Sequence, residues 1–276
     1  MIFKRAKEKN RVLLFSFLIS LLVYGKTYAM TTDNCVDKLK FYDSEYVSDL
    51  SKEKLVERLA YLEELSAPCS DLESVEIEKA NVLFKMHKFD EALKIIELKL
   101  TSKKENLGNL LSHKAVFLFT MKSSGFEVSQ SYDDIIEILK KAKQHGTDNE
   151  HFLHQTWAEI LIEQGKYEEA SEQVVLGNDI KTIYRFYTLL AIIAEKIGKY
   201  EESVSFITDA IKAGGNRYLY EPDTVLSLTK ALCHLGHTDK AKNVVENSMN
   251  LNDSLLNNLL IKESAQIVLN GCKVRQ

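Results

Sequence analysis

The stretch that decides the fold is GKYEEA at 165–170, which returns almost unchanged as GKYEES at 198–203, 33 residues later. Each copy directly follows a segment rich in helix-forming residues, WAEILIEQ at 157–164 and LAIIAEKI at 190–197. The chain has only 2 prolines and 11 glycines among its 276 residues, which also favours helices. The sequence therefore predicts a repeated helical unit.

A fixed spacing of small residues links four copies of this unit. In each copy, a residue of the first helix precedes the last residue of the motif by 12 positions, and the pairs are Ala80 and Ala92, Ala158 and Ala170, Ala191 and Ser203, and Thr229 and Ala241. Apolar residues recur at i, i+3, i+4 and i+7, as amphipathic helices require. Each unit is thus predicted to be two antiparallel helices that cross at small side chains. Helix pairs at a period of this length indicate a solenoid.

A further copy is predicted between 92 and 170, because that gap is about two periods long. HKAVFLFTM at 113–121 resembles EKANVLFKM at 78–86, and the second helix would be 131–144, with Tyr132 in the turn. In this copy the two helices are farther apart in sequence than in the others. The additional residues fall within 122–130, which is predicted to be a long loop between the two helices. Five repeats result.

Over 73–250 this pattern resembles the tetratricopeptide repeat (TPR). The matching residues are the small first-helix residues Ala80, Ala158 and Ala191, the turn aromatics Phe89, Tyr167 and Tyr200, and the second-helix residues Ala92, Ala170, Ser203, Ala210 and Ala241. The customary proline at the end of the second helix is absent from every copy, and Thr229 and Thr238 replace a small residue and an aromatic in the last one. The resemblance implies an all-α, TPR-like helical solenoid of about five helix-turn-helix repeats.

The flanks of the repeats are predicted to be capping helices that shield the ends of the core. Residues 30–72 would form an N-terminal helical hairpin, with Ser51 as an N-cap and Pro68 ending its second helix. Residues 251–276 would form a C-terminal capping helix.

Residues 1–29 have the layout of a secretory signal peptide. A basic start is followed by 14 uncharged residues, VLLFSFLISLLVYG, and then by small residues Thr27 and Ala29 at the −3 and −1 positions. We therefore expect a mature chain that begins at Met30 and is periplasmic or secreted. The alternative is an uncleaved anchor, although a membrane span needs roughly 20 apolar residues.

Charge and motifs restrict the function classes. The net charge is −4, and removal of 1–29 takes away six Lys or Arg and a single Glu, so the mature protein is acidic and unsuited to nucleic acid. No GxSxG, HExxH or GxGxxG motif occurs, so we expect neither an enzyme nor a cofactor. His145, His151 and His154 are close enough in sequence for a metal site, but packing of His154 beside Trp157 is the favoured interpretation.

All four cysteines lie beyond residue 29, and disulfides form and persist in exported proteins. We predict Cys35–Cys69 and Cys233–Cys272, because in each pair the two residues lie at adjacent ends of antiparallel helices. The alternative is four buried free thiols.

The resemblance implies a concave groove lined by the first helices, which would hold a segment of a protein partner. The residues predicted to line it are Ile77, Asn81, Phe84, Val116, Phe119, Phe152, Gln155, Glu159, Ile162, Arg185, Ile192, Glu195 and Lys230. The alternative for the apolar members is packing between repeats.

The expected role is therefore a non-enzymatic scaffold in envelope assembly, secretion or surface-polymer machinery, with any membrane-complex association running through the partner. A sensory or regulatory module that signals to a membrane partner is the other hypothesis. An uncleaved N-terminus would favour that module, so sequencing of the mature N-terminus separates the two.

Overall fold

A computed structural model describes residues 51–66, 69, 73–102, 106–148, 150–178, 183–251 and 258–273. Over these ranges the regular structure is helical throughout. The α-helices are α1 (Lys52–Ser66), α2 (Glu73–Lys85), α3 (Phe89–Ser102), α4 (Leu107–Ser123), α5 (Tyr132–His145), α6 (Glu150–Glu163), α7 (Tyr167–Leu176), α8 (Ile183–Lys196), α9 (Tyr200–Gly214), α10 (Pro222–His234), α11 (Thr238–Leu251) and α12 (Leu259–Leu269). None of the helices described is both long and apolar enough to cross a membrane.

The chain divides into two compact units, and the first ends at Lys99, within α3. In the first unit α1 packs against α2. Leu62 of α1 and Val75 and Val82 of α2 are almost fully buried in their shared core. An ion pair crosses the same interface, since Arg58 Nη2 lies 2.6 Å from Glu78 Oε1.

The second unit is a row of helix pairs. α4 packs with α5, α6 with α7, α8 with α9, and α10 with α11. The first helices of successive pairs also contact one another, α4 with α6, α6 with α8, and α8 with α10. The last helix, α12, packs against α10 and α11. The predicted all-α repeat architecture is thus confirmed for this unit.

The small residues of the repeat lie in the interior. Their side chains are fully buried, with 0% exposure, at Ala80, Ala92, Ala115, Ala158, Ala170, Ala191, Ser203 and Ala241. Each turn aromatic is the first residue of a second helix: Phe89, Tyr132, Tyr167 and Tyr200. The predicted extra copy is among them, since α5 begins at Tyr132 and Ile135 is fully buried.

The GK of the repeated motif makes the turn between paired helices. Gly165 and Gly198 have φ values of +73° and +78°, a left-handed conformation that glycine adopts at no steric cost. The next residue then donates its N–H back into the finished helix, as from Lys166 to the carbonyl of Leu161 at 2.9 Å. His87 takes the same conformation in the first copy, with φ of +60°.

The long loop predicted within 122–130 is present, running from the end of α4 at Ser123 to Ser131. Ser131 closes it with a capping box on α5. Its Oγ accepts from the Asp134 N–H at 3.1 Å, and its own N–H donates to Asp134 Oδ2 at 2.9 Å. The Ser131 hydroxyl also donates to Asp134 Oδ2 at 2.7 Å, and this hydrogen bond together with that of the Ser131 N–H holds the pKa of the Asp134 carboxyl below its ordinary value.

We expect Ser131→Ala to lower the free energy of unfolding by about 1 kcal/mol, because the first turn of α5 loses its cap. Urea unfolding measures the loss. Ser129→Ala, in the same loop but outside the capping box, serves as the control and should unfold with wild-type stability. Equal effects of the two substitutions would contradict the assigned cap.

Several predictions fall outside the described residues. These are the signal peptide at 1–29, the mature start at Met30, the first helix of the hairpin at 30–72, and Pro68; they stay predictions. Ser51 directly precedes α1, and its Oγ accepts from the Lys54 N–H at 3.4 Å. The sequence did not predict the 3₁₀ helix Gly215–Tyr220 that leads into α10. There, the carbonyl of Leu219 accepts a hydrogen bond from the buried Ser248 hydroxyl at 2.7 Å.

Cys233, near the end of α10, forms a disulfide with Cys272, in the turn after α12, with their Cα atoms 5.0 Å apart. This is the second pairing predicted from the sequence. Cys69 is buried and disulfide-bonded. Its predicted partner, Cys35, lies outside the described residues.

Candidate functional site

The first helices of the second unit form a continuous layer, here called the first-helix layer (α4, α6, α8 and α10). On α6, four of the residues predicted to line a groove are spaced by three, four and three positions, which places them on one helix face: Phe152, Gln155, Glu159 and Ile162. On α8 the same spacing relates Arg185, Thr188, Ile192 and Glu195. The layer therefore presents matching rows on neighbouring helices.

Arg185 binds three carboxylates on this layer, and we call the four residues the Arg185 cluster. Its Nη2 lies 2.7 Å from Glu159 Oε1 of α6 and 3.1 Å from Asp223 Oδ2 of α10. Its Nη1 lies 2.7 Å from Glu221 Oε2, immediately before α10. One guanidinium thus joins three successive repeats.

The start of α10 delivers two of these carboxylates. Glu221 is the N-cap residue, Pro222 occupies the first helical turn, and Asp223 follows it. Acidic side chains are favoured at a helix N-terminus, where the helix dipole is positive, and proline is tolerated there. Thr224 completes the arrangement, because its hydroxyl donates to Glu221 Oε2 at 3.0 Å and its N–H donates to Asp223 Oδ1 at 2.8 Å.

Three carboxylates share one guanidinium, so the Arg185 cluster carries an excess of negative charge. Burial raises the pKa of the Glu159 carboxyl above its ordinary value; Arg185 opposes this rise, while the charges of Asp223 and Glu221 add to it. Burial alone would lower the pKa of Arg185, yet the three carboxylates hold it well above its ordinary range. The guanidinium therefore stays charged.

One further hydrogen bond crosses the layer, and two ion pairs lie beside it. Ser227 of α10 donates its hydroxyl to Glu195 of α8 at 3.4 Å, and Lys196 Nζ lies 3.6 Å from the same carboxylate. Lys230 of α10 forms an ion pair with Glu263 of α12 at 2.9 Å. The charged residues predicted to contact a partner are thus already engaged with neighbouring helices.

The structure corrects the accessibility expected for part of the predicted groove. Phe119, Gln155 and Ile192 are buried, with no more than 7% exposure each. Phe119 packs between helices, which was the alternative considered for the apolar residues: the centre of its ring lies 6.3 Å from that of Tyr132. By contrast, Phe152 is half exposed, at 50%.

The remaining predicted residues differ in position and depth. Val116 and Ile162 are half-buried on α4 and α6. Ile77, Asn81 and Phe84 belong to α2 of the first unit. Phe84 is buried at 8% exposure, with its ring 4.8 Å from that of Phe89, so it packs in the turn between α2 and α3.

His154 packs in the interior beside Trp157, with the two rings stacked 6.5 Å apart. Its Nδ1 donates to Gln173 Oε1 at 2.8 Å in the neutral form, leaving Nε2 to accept from Lys143 Nζ at 3.3 Å. Burial lowers the pKa of this histidine, which favours that neutral form. Within the described ranges, no group of His, Cys, Asp and Glu side chains could hold a metal ion.

Comparison with solved structures finds the same fold elsewhere. The match to the APC/C hetero-tetramer Cut9–Hcn1 covers 95% of this chain and 46% of the matched chain, with a TM-score of 0.65 and 11% sequence identity. The match to a Rap protein complexed with competence and sporulation factor covers 90% of this chain and 82% of the Rap chain, with a TM-score of 0.57 and 15% sequence identity. The match to yeast Tom70 covers 89% of this chain and 48% of the Tom70 chain, with a TM-score of 0.53 and 15% sequence identity.

The fold is that of the tetratricopeptide repeat. The resemblance stated from the spacing of small residues is thereby confirmed at the level of fold. No protein-family model and no curated protein sequence matches the chain. It spans less than half the length of the Cut9–Hcn1 and Tom70 chains that it matches.

Within this tetratricopeptide-repeat fold, sequence reasoning named Arg185 and Glu159 but missed the other two members of the Arg185 cluster. The signal was present as EPD at 221–223, an acidic N-cap followed by proline at the helix start. Because α8 and α10 are the first helices of adjacent repeats, acidic residues at the start of one can reach the other.

Proposed function

We propose that the protein is a non-enzymatic adaptor that binds a segment of a partner protein in a groove on the first-helix layer. The single observation that carries the proposal is the row on α6. There, half-exposed Phe152 and half-buried Ile162 lie on the same face as Glu159. A surface that alternates apolar and charged side chains can anchor an extended or helical segment and fix its register.

The fold supports the same proposal. The Rap protein, which shares it, was solved in complex with competence and sporulation factor. Repeat proteins of this kind expose long continuous faces rather than closed pockets, and such faces suit peptides and protein segments. The chemistry of binding must still be argued from this chain's own residues.

The charge of the layer favours a basic segment. The Arg185 cluster has one positive and three negative members, and the Asp223 side chain is 39% exposed. A lysine or arginine of the partner placed beside Asp223 would offset the excess negative charge. Such complementarity contributes to specificity and to the rate of association more than to affinity.

The proposed setting is outside the cytoplasm, in envelope assembly, secretion or surface-polymer machinery. Support for this comes from the sequence of residues 1–29 and from the disulfide-bonded cysteines Cys69, Cys233 and Cys272, since disulfides persist in oxidising compartments. Any association with a membrane complex would run through the partner.

The proposal is tested by site-specific photocrosslinking in envelope extract. A photoreactive amino acid replaces Phe152 on the first-helix layer or Val175 on α7, which is also exposed, at 62%. We expect a crosslinked partner from position 152 and none from position 175. Mass spectrometry of the crosslink would identify the partner and the segment that binds.

Binding of that segment is then measured with Phe152→Asp. We expect at least a tenfold weaker affinity, because an exposed aromatic anchor is lost and negative charge is added. Val175→Asp is the matched control and should bind as the wild type does. A partner that crosslinks at α7, or that binds Phe152→Asp unchanged, would place the binding surface elsewhere.

A further inference from the structure

The last helix, α12, packs on α10 and α11 of the second unit. Ile261, Ser264 and Ile267 form its buried face. Ile261 packs on Val225 of α10, and Ile267 joins the core cluster of α10. The helix has 11 residues, and isolated helices shorter than roughly 12–15 residues are marginal in water. α12 therefore depends on its attachments.

The covalent attachment is the disulfide between Cys233 of α10 and Cys272, just after α12. Without it, the described contacts that hold α12 would be its apolar face and the ion pair of Glu263 with Lys230. That ion pair is partly solvated, since the Glu263 side chain is 48% exposed, so its contribution is small.

The backbone at Cys272 adds a second observation. Cys272 has φ of +61°, in the left-handed region that residues other than glycine seldom adopt, and Gly271 before it has φ of +64°. The Cys272 N–H donates to the Ile267 carbonyl at 3.0 Å in this conformation. This hydrogen bond and the disulfide thus both restrain the backbone at the end of α12.

We propose that the Cys233–Cys272 disulfide is a redox latch for α12, and that its reduction opens this helix and uncovers the apolar face of α10 around Val225. Cys272 is half-buried in an exposed turn, whereas Cys233 is buried at 7% exposure. The sulfur open to attack is therefore that of Cys272.

The chemistry is thiol–disulfide exchange with a dithiol reductant. One thiolate of the reductant attacks Cys272 Sγ, the Sγ–Sγ bond breaks, and Cys233 leaves as a thiolate that takes up a proton. The second thiol of the reductant then displaces the Cys272 sulfur, which is protonated in turn. The protein gains two electrons and two protons, and the reductant becomes a cyclic disulfide.

Native-state hydrogen exchange of the full mature chain tests the latch, with dithiothreitol as the reductant. We expect amides of 259–269 to exchange on the order of 10²-fold faster after reduction. The reason is that the disulfide links residues 39 positions apart, and once it is reduced the chain between them is no longer held in a closed loop. Amides of 183–196 should be unchanged, and reoxidation should restore the slow exchange.

Two double variants separate this disulfide from the other cysteines. Cys233→Ser/Cys272→Ser should show the fast exchange of 259–269 without reductant. Cys35→Ser/Cys69→Ser should keep it slow. Unchanged protection of 259–269 in the first variant, or faster exchange spread evenly over the second unit, would overturn the latch.

Discussion

Arg185→Met is expected to lower the free energy of unfolding of the second unit by about 3–5 kcal/mol. The substitution keeps most of the side-chain volume but removes the positive charge that Glu159, Glu221 and Asp223 share. Partly buried carboxylates without a counterion are costly, and here they also repel one another. Trp157, the chain's single tryptophan, lies on α6 and reports this unit's unfolding in urea by its fluorescence.

Neutral carboxylate analogues provide the matched control. Adding Glu159→Gln, Glu221→Gln and Asp223→Asn to Arg185→Met should recover most of the lost stability, because no uncompensated charge then remains. Replacement of a whole buried charge cluster is often close to neutral. A loss below about 1 kcal/mol for Arg185→Met alone would instead mean that the cluster behaves as a solvated surface pair.

Gly108→Ala is expected to cost about 3 kcal/mol through overpacking. Gly108 lies in the first turn of α4, next to the backbone at the end of α5. A Cβ at this position would be 1.7 Å from the carbonyl oxygen of Gly146 and 2.8 Å from that of Ala142. Both obstacles are backbone atoms, so the two helices must separate to accept a methyl group.

Gly125→Ala, in the loop after α4, is the control that separates steric overlap from backbone strain. Gly125 has φ of +84° but open space where a Cβ would lie. The cost there should be about 1 kcal/mol, from conformation alone. Urea unfolding followed at Trp157 measures both variants, and equal losses would contradict a close helix contact at Gly108.

The architecture was predictable because one physical requirement recurs along the chain. Two helices that cross closely need small side chains at the crossing, and a repeated fold repeats that need at a fixed spacing. The spacing of Ala158 with Ala170 and of Ala191 with Ser203 therefore identified the helix pairs, and all four residues are fully buried. The additional copy with Tyr132 does not keep this spacing, and it was found from the length of the gap between 92 and 170 and from the likeness of 113–121 to 78–86.

The depth of the side chains in the candidate site was not predictable to the same extent. Periodicity identifies the face of a helix that looks toward its neighbours, but not how closely the next repeat covers it. Phe119 and Ile192 were thus placed in an accessible groove although both are buried, whereas Phe152 is exposed. Likewise, the contacts of Arg185 with Glu221 and Asp223 depend on how α10 lies against α8, which no local pattern encodes.

The stability of repeat proteins is usually treated as a one-dimensional sum of a term for each repeat and a term for each interface between neighbours. Arg185 departs from that scheme, since one side chain on α8 binds Glu159 on α6 and Asp223 on α10. The repeats that begin with α6 and α10 are two steps apart, yet each sets the charge environment of the other. A correct statistical description of this unit therefore needs a next-nearest-neighbour coupling, and deletion of the α10 repeat would weaken the α6 repeat that it does not adjoin in sequence.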